Sequence, residues 1–161
     1  MSSRSKRVVL GASIVAALIV SATATATRPE ITRFSFDDHY IDTQTCPGIP
    51  IDTLLEGRVT VTVHSSTRVQ VHQHLVYRAT GNGRSFTDNE SFTEFANPET
   101  GVSRFSGTTI NIQVPHQGNL LVDAGTLTID FTTDPWTVLH EGGPHPFYHG
   151  GYGPLCAYLA S

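Results

Sequence analysis

The sequence predicts an all-β domain, a small antiparallel up-and-down barrel of about seven or eight strands. Beyond residue 30, most segments alternate between apolar and polar residues and are rich in Val, Ile, Thr and aromatic residues. Turn residues separate these segments at short intervals. Strands joined by short turns form a meander with two open edges, and closure into a barrel hides both edges. A two-sheet sandwich is the alternative.

The strands are predicted in order along the chain. Their ranges are 31–36, 55–63, 69–77, 85–95, 102–114, 120–131 and 135–139. The Gly81-Asn82-Gly83 segment is typical of a tight hairpin turn, and Gly or Pro separates most of the other strands. No segment after residue 27 has a long apolar stripe with helical spacing, and residues 155–159 are expected to form one short helical turn.

Residues 1–26 have the layout of a cleavable signal peptide. Arg4, Lys6 and Arg7 precede an apolar run over residues 8–20, and Ala24-Thr-Ala26 provides an A-x-A cleavage site. The apolar run is shorter than the roughly 20 residues that a membrane-spanning helix needs. We therefore expect residues 27–161 to form a single secreted β-domain without a stable membrane anchor after cleavage.

Cleavage makes the domain more acidic. The whole chain has a net charge of -4, and loss of the three basic residues leaves seven arginines against fourteen acidic residues, a net charge of -7. Nucleic-acid partners are not expected, because they require basic patches. No lysine remains after residue 6, which excludes lysine-based catalysis.

Cys46 and Cys156 are the only two cysteines. In an oxidising compartment an even pair of this kind predicts a disulfide. In the chain-entropy model, closing so long a loop contributes about 4–5 kcal/mol.

A first group of histidines lies on the hairpin predicted for residues 55–77. If its valines face the core, a three-residue turn gives the pairs His64–Arg68, Thr60–His72 and Arg58–His74. His72 and His74 form an H-x-H pattern that could present two imidazoles to a metal ion, but the neighbouring arginines repel cations. We therefore predict no metal and a solvated positive face or an anion pocket, formed by Arg58, His64, Arg68, His72 and His74.

A second group, His140, His145 and His149, lies in a segment rich in Gly, Pro and aromatics that leads to Cys156. We interpret this segment as a rigid cover for one end of the barrel, and the alternatives are contact with a ligand or partner, or metal binding by these histidines.

Three carboxylates share the parity of apolar residues in their strands. Asp123 alternates in phase with Leu121 and Leu127, and Asp88 and Glu90 alternate in phase with neighbouring phenylalanines. A carboxylate facing the interior needs a partner or has a raised pKa.

No catalytic signature appears in the sequence. The patterns favour a secreted, non-catalytic module that binds a small molecule, without a cofactor, through the two histidine groups, Arg58, Arg68 and Asp123. One alternative is an extracytoplasmic enzyme, either a metal-assisted hydrolase using His72 and His74 or a barrel isomerase or cyclase using one acidic residue. The other is a protein that interacts with a component of the cell envelope.

Overall fold

The computed structural model describes residues 28–161. The predicted signal peptide, residues 1–26, lies outside the described residues. In the described part of the chain, no helix is long and apolar enough to span a membrane.

Seven strands pair in chain order into one antiparallel sheet. They are β1 (Glu30–Asp42), β2 (Ile51–Ser65), β3 (Arg68–Gly81), β4 (Arg84–Asn97), β5 (Val102–Val114), β6 (Gly118–Asp130) and β7 (Thr137–Gly142). Two short helices follow, α1 (Pro146–Gly150) and α2 (Gly153–Ala160). The all-β class and the up-and-down order are therefore confirmed.

The prediction of a closed barrel is wrong, and so is the sandwich alternative. Within residues 28–161, β1 pairs only with β2 and β7 only with β6, so the sheet remains open. The two edge strands also differ in length, because β7 has 6 residues against 13 in β1. After Gly142 the chain leaves the sheet and forms the two helices instead.

The helical segment covers one end of the sheet's inner face. Leu155 and Leu159 of α2 are buried in the largest apolar cluster, against Ile51 of β2 and Ile112 of β5. The Cys46–Cys156 disulfide joins α2 to the β1–β2 connection across a separation of 110 residues, which confirms the predicted bridge. Such a bond is typical of an oxidising, extracytoplasmic environment.

The β2–β3 hairpin follows most of its predicted register. Thr60 lies opposite His72 and Arg58 opposite His74, as predicted. The predicted His64–Arg68 pair is wrong, because a register shift between Val63 and Ser65 places Ser65 opposite Arg68. The extra residue of this bulge leaves His64 without a cross-strand partner.

One glycine makes room for a ring on the inner face. Phe36 of β1 is the cross-strand partner of Gly57, and its ring occupies the space that a Gly57 side chain would fill. The ring packs beside that of Phe34, with 6.5 Å between the centroids.

Candidate functional site

The first histidine group lies on the outer face of the sheet. His72, His74, Arg58 and Arg68 are all exposed, and His64 is half-buried at the bulge. His72 Nδ1 lies 3.1 Å from the hydroxyl oxygen of Thr93. Within residues 28–161, no group of three or more His, Cys, Asp or Glu side chains is arranged to hold a metal ion.

Two open grooves lie mainly on this outer face. One, of about 500 Å³, includes Arg58 and His74 together with Glu56 and Asp37. The larger, of about 660 Å³, contains the His39–Asp52 pair. Solvent screens the charges in both grooves because these side chains are exposed, and such pairs contribute little binding energy.

The structure separates the second histidine group. His140 and His149 are exposed, and His149 Nε2 contacts the Glu141 carboxylate at 3.1 Å. His145 is only 5% exposed and lies just before α1. Only His145 joins a buried network.

His145 pairs with Asp123, whose side chain is fully buried on β6. The Nδ1–Oδ1 distance is 2.8 Å, and Nε2 lies 3.2 Å from the Thr126 carbonyl oxygen. Both ring nitrogens face acceptors, an arrangement that favours the doubly protonated imidazolium. Burial lowers the pKa of His145, but the hydrogen bond and charge of Asp123 outweigh it and the pKa is raised.

The Asp123 carboxylate has further donors. Thr109 Oγ1 donates to Oδ1 at 2.9 Å, and the Phe147 backbone N–H donates to Oδ2 at 3.2 Å. Because its oxygens are engaged by β5, His145 and α1, this carboxylate anchors the helical segment to the sheet. Its predicted inward orientation is confirmed, and the partner that it requires is His145.

Asp88 and Glu90 lie on the inner face of β4, beside a register shift between Asp88 and Ser91. Asp88 is buried and accepts a hydrogen bond of 2.6 Å from the Asn111 backbone N–H. Burial raises the pKa of Asp88 to about 6. Burial and the charge of Asp88 raise the pKa of Glu90 well above its ordinary value.

Glu90 has no hydrogen-bond or ion-pair partner within residues 28–161. No lysine occurs in this part of the chain. Four arginines in the middle of strands are exposed and alternate with buried residues, so they lie on the outer face of the sheet. They are Arg33, Arg58, Arg78 and Arg104. A half-buried carboxyl group thus faces the interior without a cation.

Three tyrosines lie close enough to Glu90 for its charge to raise their pKa values. Burial, followed by the negative charge of Glu90, raises the pKa of both Tyr77 and Tyr152. Burial also raises the pKa of Tyr148, with contributions from Asp123 and Glu90. All three phenols remain neutral near pH 7, so their hydroxyls can donate and their ring faces are electron-rich. We call Asp88, Glu90, Tyr77, Tyr148 and Tyr152 the Glu90 site.

A buried amide lies beside this site. Gln73, 2% exposed, is the cross-strand partner of Phe92 on the inner face, diagonally adjacent to Glu90. Its Nε2 atom has no hydrogen-bond partner in the described chain. An amide donor is therefore available next to a carboxyl group that also lacks a partner.

The Glu90 site is not sealed from solvent. Glu90 and its three tyrosines are half-buried. On the edge strand β1, Tyr40 is exposed, and partial desolvation, followed by the charges of Asp42, Asp38 and Glu90, raises the pKa of its phenol.

The tyrosine contribution was not predicted from the sequence. Tyr77 shares the parity of Val71 and Leu75, which signals an inward side chain. Tyr148 and Tyr152 come from the helical segment, whose position no periodicity indicates. Comparison of the chain with protein-family models, curated proteins and solved structures finds no match.

Proposed function

We propose that this domain is an extracytoplasmic, non-catalytic module that binds a small organic cation at the Glu90 site. The observation that carries the proposal is Glu90 itself, a half-buried carboxyl group that has no cation or hydrogen-bond donor among residues 28–161. Binding surfaces use a few converging polar groups among apolar and aromatic side chains, and the Glu90 site has this composition.

The chemistry of the site favours an ammonium group. A hydrogen bond to a charged group contributes about 1.5–3 kcal/mol. A cation over the face of a partly desolvated tyrosine adds about 0.5–2 kcal/mol. An anionic ligand would be repelled by Asp88 and Glu90, so the earlier hypothesis of an anion pocket applies at most to the outer face.

Protonation couples to this binding. Because the pKa of Glu90 is raised, an ammonium group that binds the carboxylate form competes with a proton. Affinity for a cation should therefore increase as the pH rises through the raised pKa of Asp88, about 6, and of Glu90.

The test is calorimetric titration of the protein, expressed from its full-length sequence, with benzylamine and with the neutral analogue benzyl alcohol. We expect the amine to bind and the alcohol to bind far more weakly. Glu90→Gln should weaken amine binding by at least about tenfold, the loss of one charge-assisted hydrogen bond. Glu99→Gln, on the exposed β4–β5 turn, is the matched control and should bind as the wild type does.

Two results would contradict the proposal. One is equal affinity for the amine and the alcohol, which would indicate apolar burial alone. The other is amine binding that Glu90→Gln leaves unchanged, which would place the ligand elsewhere.

Acid/base catalysis is the second candidate function, and one observation favours it. Asp88 has a pKa of about 6, so both of its protonation states are populated close to neutral pH. If an amine probe is converted to a product and Asp88→Asn abolishes this conversion, the protein is an enzyme rather than a binding module. Recovery of the probe unchanged favours the binding module.

A further inference from the structure

Strand β1 forms a long, regular edge of the sheet. Its 13 residues pair with β2 in a continuous register without a bulge. Along the whole strand, only Phe34 and Asp42 are not exposed. The strand also lacks proline and lysine, two residues that block edge pairing in natural sheets. The other edge, β7, is short and has a register shift.

Apolar side chains are exposed on both faces of this edge. Ile31, Phe36, Tyr40 and Ile41 are between 37% and 56% exposed. An exposed, regular edge strand with apolar side chains presents free backbone donors and acceptors to another strand.

We propose that two copies of the chain pair through β1, antiparallel and related by a two-fold axis at Ser35. This register places Arg33 of each copy opposite Asp37 of the other on the outer face. On the inner face it places Phe34 opposite Phe36 of the second copy, so four rings meet. Direct cross-strand pairs of opposite charge and of aromatic rings both stabilise sheets.

Alternative symmetric registers are disfavoured by charge. An axis at Phe36 would place Glu30 opposite Asp42, and an axis at Phe34 would place Glu30 opposite Asp38. Axes at Asp37 or Asp38 would set the same acid against itself. Among these registers, only the axis at Ser35 avoids like-charge pairs and forms Arg–Asp pairs, and this complementarity favours a second copy over an unrelated strand.

The pairing extends from Glu30 to Tyr40 in each copy. In an antiparallel ladder of this length, about ten backbone hydrogen bonds form between the strands. Symmetric association through one patch gives a closed dimer rather than a fibre, because each copy has one β1 edge.

The test is analytical ultracentrifugation of the protein expressed from its full-length sequence, over a wide concentration range. We expect a monomer–dimer equilibrium. Arg33→Asp and Asp37→Arg should each raise the dimer dissociation constant by about tenfold or more, because each creates two like-charge pairs. The double variant Arg33→Asp/Asp37→Arg restores both opposite-charge pairs and should dimerise as the wild type does. Arg104→Asp, exposed on β5, controls for a change of net charge.

A protein that stays monomeric at every concentration overturns the proposal. So does a dimer that the two single variants weaken no more than Arg104→Asp does, because it would form through another surface. Failure of the double variant to recover, while circular dichroism shows it folded, would overturn the Ser35 register. None of these results depends on whether Glu90 binds a cation.

Discussion

Asp123 and His145 form a buried ion pair, with 2.8 Å between Oδ1 and Nδ1, that joins β6 to the segment leading into α1. The pair is the main polar contact between the sheet and this segment, which also donates the Phe147 N–H to Asp123. It therefore holds Phe147 and Tyr148 over the inner face, beside the Glu90 site.

Removal of one partner of this pair should strongly destabilise the domain. Asp123→Ala removes the buried acceptor of His145 Nδ1, the Thr109 hydroxyl and the Phe147 N–H, and we expect a loss of about 3–5 kcal/mol in the free energy of unfolding. His149→Ala, which removes the exposed pair with Glu141, should change it by less than about 0.5 kcal/mol. Chemical denaturation with the disulfide intact measures both. An Asp123→Ala variant as stable as the wild type would contradict an anchoring role.

The pair should also make the stability of the domain depend on pH. The pKa of His145 is raised in the folded state, so its contribution is complete below the ordinary pKa and is lost as the pH rises through the raised value. We expect denaturation midpoints to fall across this range in the wild type and to change less in His145→Gln. Equal pH profiles would show that the ring is not the titrating group.

Asp88 should destabilise the folded domain, in contrast to the Asp123–His145 pair, because burial disfavours its charged form. The pKa of Asp88 is about 6 in the folded state against 3.8 for the free side chain. The destabilisation caused by its buried charge therefore appears as the pH rises between these two values. Asp88→Asn keeps an oxygen acceptor for the Asn111 N–H and removes the charge. We expect it to stabilise the domain by about 2–3 kcal/mol near pH 8 and by much less near pH 4. Stabilisation of equal size at both pH values would refute this explanation.

The disulfide should contribute more than any single apolar contact. Replacing Cys46 and Cys156 together by serine opens a loop of 110 residues and should cost about 4–5 kcal/mol in the chain-entropy model. A reducing agent should lower the stability of the wild type by a similar amount and leave the double variant unchanged. Retained stability after verified reduction would mean that packing of Leu155 and Leu159 alone fixes α2.

Gly125 should tolerate no side chain, because the backbone at the end of β7 packs directly on it. A Cβ atom there would collide with the Gly142 carbonyl oxygen, whereas at Gly118 it would meet open space. Gly118, with φ 81°, lies near the left-handed region that alanine can enter, whereas Gly125, with φ 130°, lies where glycine is strongly favoured, so backbone strain adds to the collision at Gly125. We expect Gly125→Ala to cost about 1–3 kcal/mol more than Gly118→Ala in thermal or chemical denaturation. Equal costs would show that β7 can move away.

Local sequence patterns were sufficient to predict the strands and the orientation of part of the site. Alternation with a period of two predicted the inward orientation of Asp88, Asp123 and the β2–β3 valines, because side chains of a strand alternate between its faces. The same pattern carried no information on the bulge at His64, since one inserted residue leaves the flanking alternation recognisable.

The histidine composition was a poor guide to the site. His72 and His74 lie on the exposed face, and the interior carries carboxyl groups, tyrosines and a single histidine, His145. A residue type that is frequent in the chain identifies a site only if the fold brings its members together, and here the strands separate them.

The sequence by itself determined the all-β class, the meander order and the disulfide, because alternation, turn residues and a cysteine pair are local or countable properties. Tertiary structure decided that the sheet stays open and that Tyr148 and Tyr152 lie close enough to Glu90 for its charge to raise their pKa values. The open sheet depends on how its two edge strands lie relative to each other, and the positions of the tyrosines depend on where the helical segment packs. Both are relations between distant parts of the chain, set by packing and by the Asp123–His145 pair, and no period along the sequence encodes them.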